Sequence, residues 1–240
     1  MLSFLKKLFK SNEEPLPSQE INQDISRRVT LPSPPNVQAS SAQTLSGQPK
    51  PDHPVPFGYK IQWLAIQTDS VEKVIEQLSV TGLQRSNWAN GIESAYEDYI
   101  FITPPVKGGV LVIGNAMPSA GGVDHVNEIK PVIERLSKVF DEVHYYGSHR
   151  VVNYYVWAKA SNGRITRAFG SEGDVFWEEG TATAEERALG FRFGDVEAED
   201  AWLPSEEDVL AIAKRWSIDP QMKYSDLEPG VGYIGKVKSE

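Results

Sequence analysis

Cysteine is absent from this chain of 240 residues. Its absence excludes disulfides, thiol nucleophiles and Cys-based metal sites, and is compatible with a reducing cytosol. Histidine is scarce, with four residues, and no HExxH or comparable ligand spacing joins them, so no metal site is expected. No Walker or dinucleotide fingerprint occurs at a strand-to-helix junction, and no GxSxG elbow, so no cofactor is expected either. Long apolar runs are missing: the longest, Val110 to Ile113, is far too short to span a bilayer. Lys6, Lys7 and Lys10 interrupt what would be the apolar region of a signal peptide, which points to the cytoplasm.

Positive charge is also in short supply. The chain carries 24 Lys and Arg against 33 Asp and Glu, a net −9. Residues 1–56 hold six bases and five acids, so the deficit lies wholly in residues 57–240. A domain this acidic is repelled by phosphate backbones, which argues against nucleic acid as a direct ligand. It would attract a basic protein partner; acidity serving solubility alone is the plainer alternative.

What is present divides the chain in three. On a helical projection Met1, Leu2, Phe4, Leu5, Leu8 and Phe9 occupy one arc of roughly 160°, with Ser3, Lys6, Lys7 and Lys10 opposite. Residues 1–10 are therefore expected to form an amphipathic helix lying in an anionic membrane surface, folding as it binds. Docking on a partner protein, or back onto its own domain, would use the same face. No lipidation site accompanies it, since Leu2 stands where myristoylation needs glycine. Residues 11–56, rich in Pro, Ser, Gln and Asn, read as a disordered linker that spans roughly 40 Å on average. Residues 57–240 hold all six tryptophans and read as one acidic globular domain.

Within it, residues 60–67 read as a strand, and Ser70 caps a helix with Val71, Val74, Ile75 and Leu78 at i, i+3, i+4 and i+7. A short helix is expected around Trp88 and Ile92, then strands at 99–103 and 110–114. A helix follows with Ile129, Val132, Ile133, Leu136 and Phe140 on one face and Pro131 near its first turn. A strand at 142–147 leads into a hairpin of 151–159 and 164–170, turned by Asn162-Gly163. Thr183 and Ser205 open two capped helices, and residues 231–237 form a last strand. The expected class is α+β, a mixed or antiparallel sheet with helices on its faces. Setting the Trp88 segment aside, the order over 60–147 matches a ferredoxin-like core with an added hairpin.

The segments Asn87-Trp88-Ala89-Asn90-Gly91-Ile92, Phe101-Ile102-Thr103-Pro104-Pro105-Val106, Gly147-Ser148-His149-Arg150-Val151, Trp202-Leu203-Pro204 and Trp216-Ser217-Ile218-Asp219-Pro220 resemble motifs of an uncharacterised bacterial protein family. The resemblance covers the domain and not the linker. The family has no established activity, so it implies no site residues.

Among chemistry-bearing residues, His149 beside Arg150 is the candidate acid–base pair, with Glu172, Glu178 and Glu179 able to complete a site. A turn histidine bonded to backbone, with Arg150 on a surface carboxylate, is the structural alternative. The loop Ala116 to Val123 runs from strand to helix and could hold an anion on its backbone, or be a plain connection. Tyr145, Tyr146, Tyr154, Tyr155, Trp157 and Phe169 on adjacent strands read as two buried sides of a sheet. Three functions follow. The leading one is a non-catalytic interaction protein, tethered near a membrane, that binds a basic partner in an immunity-like or accessory role. The others are an enzyme using His149 and Arg150, and a structural adaptor in a larger assembly. No residue pattern specifies an oligomeric state.

Overall fold

The computed structural model describes residues 48–193 and 202–238, without the side chains of 122–125. The expected helix at 1–10, with Leu2, Phe4, Leu5, Lys6, Lys7, Leu8, Phe9 and Lys10, lies outside the described residues, as does the linker up to residue 47.

The fold is α+β. One sheet of nine strands, antiparallel throughout, carries helices on both faces. In chain order the elements are β1 (Gln62–Ile66), α1 (Val71–Gln77), β2 (Val80–Asn87), α2 (Trp88–Ala95), β3 (Ile100–Ile102), β4 (Val110–Ile113), α3 (Gly122–Leu136), β5 (Glu142–His149), β6 (Tyr154–Ser161), β7 (Arg164–Glu172), β8 (Asp174–Glu179), α4 (Ala184–Ala188), α5 (Glu206–Trp216) and β9 (Val231–Val237). The sheet order is β2-β9-β3-β4-β1-β5-β6-β7-β8. All five residues of β1 are buried, as a central strand covered on both faces requires.

Alternation along the strands feeds two cores. Trp63, Phe101, Ile113, Tyr146, Trp157 and Phe169 pack under α2, α4 and α5. Leu64, Ile102, Val112, Tyr145 and Ala158 pack under α1 and α3. The aromatic strand residues thus divide between two covered faces, as their pattern suggested. On the first face Trp63 stacks on Tyr146 with centroids 5.1 Å apart and receives the Phe57 edge at 5.5 Å.

Local signals account for most boundaries. Ser70 Oγ accepts from Lys73 N, and Thr183 and Ser205 each complete a capping box, with Glu186 and Asp208. Asn162 and Gly163 adopt φ of 51° and 76°, the left-handed pair that a two-residue hairpin needs. Lys107 and Gly108 do the same between β3 and β4. Two strands were not anticipated. β2 and β8 are the sheet's edges, and their polar or acidic exposed residues hide the alternation that marks interior strands. Pro131 is also displaced from its expected place. Helix α3 begins at Gly122, so Pro131 lies in its interior and leaves the carbonyl four residues back without its bond.

Residues 48–56, assigned to the linker by composition, lie against the domain. Gly230 N donates to Asp52 O at 2.9 Å, and Asn87 Nδ2 to Lys50 O at 3.3 Å. The Asp52 carboxylate accepts from Trp88 N at 2.6 Å and Ala89 N at 3.0 Å, sealing the first turn of α2. No helix among the described residues is long and apolar enough to cross a membrane.

Candidate functional site

The residues singled out around the hairpin do not converge. Register pairs His149 with Tyr154 and Tyr154 with Glu172, so these three share a row on the α1/α3 face with Tyr154 in the middle. Two strand spacings, about 10 Å, separate the backbones of His149 and Glu172. Arg150 turns to the other face, where Nη1 lies 3.6 Å from Glu206 Oε2. Glu178 faces Arg167 at 3.5 Å, and Glu179 accepts from Lys130 Nζ at 2.7 Å. The loop before α3 is pinned from within, Ala120 N donating to Tyr145 Oη at 3.3 Å and Met117 O accepting from Gln62 Nε2 at 2.9 Å.

A different histidine sits in a charged cluster. Glu142 and His144 are two apart on β5 and share a face, and register sets Lys159 opposite His144. Glu142 Oε2 pairs with Lys159 Nζ at 2.8 Å, and Oε1 lies 3.1 Å from His144 Nε2 without the alignment of a hydrogen bond. His144 and Lys159 hold the Glu142 carboxyl down at about 2, against the opposing effect of burial. Burial lowers the pKa of His144, and Glu142 only partly offsets this. The imidazole forms a triangle of rings with Tyr146 and Trp216, whose centroids lie 6.0 and 5.9 Å from it and 6.5 Å from each other. A cavity of about 200 Å³ opens beside it, bounded by Glu142, Trp216, Ser217 and the Lys107–Gly109 turn.

Part of the polar wall of that cavity is engaged, while His144 Nε2 and Trp216 Nε1 have no hydrogen-bond partner among the described residues. Ser217 Oγ donates to Ala213 O at 3.2 Å and meets Tyr146 Oη at 3.0 Å. Lys107 is paired with Asp226. His144 is 3 % exposed and its Nε2, though 3.1 Å from Glu142, makes no hydrogen bond to it, so burial rather than occupied nitrogens keeps it from a substrate proton. Sequence reasoning passed over this cluster. The Glu-x-His spacing was legible, but the Lys159 contact needs the strand register.

A second buried charge pair ties α4 to the sheet. Glu186 is fully buried and accepts from Arg167 Nε at 2.9 Å, Trp157 Nε1 at 2.8 Å and Thr183 N at 2.6 Å. Arg167 Nη1 donates to Gly180 O at 3.2 Å, and the guanidinium lies 4.4 Å from the Phe193 centroid. Trp157, Phe169, Phe191, Phe193 and Trp202 crowd around this pair.

The outer end of α2 has the reverse character. Tyr59 and Tyr96 are 39 % and 42 % exposed and are joined by Tyr96 Oη donating to Tyr59 O at 2.9 Å. Burial is the main cause that raises the Tyr96 pKa, with the charge on Glu206 adding to it. Glu93 lies in the last turn, Glu97 and Asp98 follow it, and all three are exposed. No ion pair engages them among the described residues, and no base lies in that last turn. Carboxylates at a helix C-terminus are set against the negative end of the macrodipole. Among the described residues no group of three or more His, Asp or Glu could hold a metal ion. Compared with known proteins, the chain matches no family model, no curated protein and no solved structure.

Proposed function

We propose that this chain is a non-catalytic interaction protein whose acidic domain binds a basic partner in an immunity-like or accessory role. In this reading residues 1–10 hold the domain to the inner face of a bacterial membrane, from the cytoplasmic side, and nucleic acid is not a ligand. The observation that carries it is the end of α2. Glu93, Glu97 and Asp98 stand uncompensated where a helix favours cations, beside two half-exposed tyrosines. Each such charge costs about 0.3–1 kcal/mol, a cost that a basic partner would reverse on binding. Tyrosine is also among the side chains enriched at binding hot spots. The acid–base alternative is weaker, because His149 and Arg150 leave the sheet on opposite faces and His144 is enclosed.

The scaffold belongs to the same proposal. Strands β3-β4-β1-β5, with α1 and α3 on one face, follow the order of a ferredoxin-like core. The β2–α2 segment is then an insertion, and β6 to β8 and β9 are additions to its two sides.

The test uses the full chain and a fluorescent lysine-rich peptide, read by anisotropy at low and moderate salt. E97K with D98K should weaken binding about tenfold while raising Tm, since the same change relieves the helix dipole. Unchanged affinity in that variant would overturn the assignment of the surface. Co-sedimentation with anionic and neutral vesicles tests the tether: the full chain should pellet with anionic vesicles, and L5E with F9E should abolish it. Equal pelleting of both would overturn the membrane role of the helix.

A further inference from the structure

We infer that the outer edge of β8 is a strand-acceptor site for an extended basic segment of a partner, which would add to the sheet as a tenth strand. The inference rests on the reading that the partner is basic, and it concerns a surface distinct from the end of α2. It begins with backbone chemistry. β8 closes the sheet order and pairs only with β7, so among the described residues its outer N–H and C=O groups have no ladder partner. Such a row is a template for another strand unless something guards it.

The guards here select by charge. β8 carries Asp174, Glu178 and Glu179 and not one base, and Glu172, the last residue of β7, lies across the tight turn from Asp174. Glu178 and Glu179 face Arg167 and Lys130 from inside the domain, while Glu172 and Asp174 are exposed and have no ion pair among the described residues. A β8 edge of a second copy would bring like charges together, which disfavours symmetric pairing. A strand carrying Lys or Arg at alternate positions meets no such barrier. Its cations would face these carboxylates while its backbone completes the ladder.

The geometry leaves room for it. A register shift between Gly170 and Ser171 places a bulge at Phe176, and beyond it Trp177, Glu178 and Glu179 pair regularly with β7. Phe176 stacks on Tyr154 at 6.1 Å with an interplanar angle of 1°, and Trp177 is buried under α3. Val175, 37 % exposed, is left as an apolar contact for the incoming strand. The opposite edge has another character. β2 carries one base, Arg85, and no acid, and has a bulge between Thr81 and Gln84.

The experiment is NMR on the isotopically labelled full chain with a synthetic hexapeptide alternating lysine and valine, nitroxide-labelled at one end. Line broadening should be confined to Asp174–Glu179 and the adjoining β7, and the outward β8 amides should gain protection from hydrogen exchange. E172K with D174K should weaken the peptide about tenfold without moving the β7–β8 cross-peaks that report the fold. Broadening centred on Tyr59 and Tyr96 would overturn the edge site while leaving the proposed function standing. Absence of binding to the peptide and to any lysine-rich probe would remove both. Concentration-dependent oligomers that consume the β8 amides would assign the edge to a second copy, through β2 against β8, and overturn the basic-partner inference.

Discussion

Replacing Arg167 with methionine keeps most of the side-chain volume and removes the guanidinium from a site where only 1 % of the residue is exposed. Glu186 is then left fully buried, with Trp157 Nε1 and Thr183 N still donating to it but no counter-charge. Breaking a buried pair from one side costs about 3–5 kcal/mol, because the remaining charge has neither water nor partner. Glu186→Gln leaves the buried Arg167 with only the half-exposed Glu178, 3.5 Å from Nη1, as counter-charge, so its cost should fall at the lower end of that range, while the amide oxygen it introduces remains in place to accept from Trp157. The double variant R167M/E186Q buries no charge at all. It should lie within about 2 kcal/mol of the parent, reflecting a weakened Thr183 cap and an imperfect fit around Phe193.

The diagnostic quantity is therefore the failure of additivity. Two single losses of about 3–5 kcal/mol against a double loss of about 2 give a coupling of roughly 4 kcal/mol or more. Urea unfolding followed by tryptophan fluorescence measures it. With m of about 2–3 kcal/mol/M for a domain of this size, each single variant should unfold about 1–2 M earlier than the parent. A coupling below about 1 kcal/mol would be incompatible with an ion pair closed off from solvent. It would mean that water reaches this pair and that the aromatic shell of Phe191, Phe193 and Trp202 does not seal it.

Acid should destabilise the domain in two stages. His144 is depressed from its usual 6.5, so its contribution is complete above that value and erodes as pH falls below it. Glu142 is depressed from 4.5 to about 2, so its contribution is present above 4.5 and is lost as pH falls towards 2. The Glu142 shift corresponds to about 3 kcal/mol at most, and to about 1–2 after discounting for solvent at a side chain 29 % exposed. Urea midpoints measured from neutral to acid pH should fall in both ranges, with E142Q flattening the lower one; a midpoint independent of pH would contradict the cluster. Asp52→Ala should cost about 1–2 kcal/mol by exposing the first amides of α2. Hydrogen exchange at Trp88 and Ala89 should rise with it, and unchanged exchange there would show that residues 48–56 do not hold the helix.

The parts of this fold legible in sequence are those where one residue carries a local rule. Ser70, Thr183 and Ser205 announce helix starts, Asn162-Gly163 announces a hairpin, and the all-apolar Val110 to Ile113 announces an interior strand. β2 and β8 were opaque for the same reason that they sit at the edges. Thr81, Gln84 and Arg85, or Asp174 and Glu178, answer to solvent rather than to a core and lose the period-two signature. The candidate sites divide in the same way. His149 and Arg150 stand out as neighbours in sequence, but adjacency along a strand sends side chains apart. The cluster that does form, Glu142, His144 and Lys159, depends on pairing between strands. The buried role of Glu206 was equally hidden. It reads as a solvent-facing first-turn acid, yet it accepts from Lys60 N and Ser148 Oγ, both at 3.1 Å.

The position of β9 has a consequence for how the chain is made. This strand is inserted between β2 and β3, so β2 has no partner until residues 231–237 arrive. Everything up to Val237 must leave the ribosome before that flank of the sheet can close. During synthesis the nascent domain carries an open slot lined by β2 and β3, in register for one particular strand. Loss of β9 would free β2 and reopen that slot, in a chain whose remaining core could still condense. A peptide carrying the β9 sequence, supplied in trans, would then be the natural complement, making the segment just before it the place to split the domain in two.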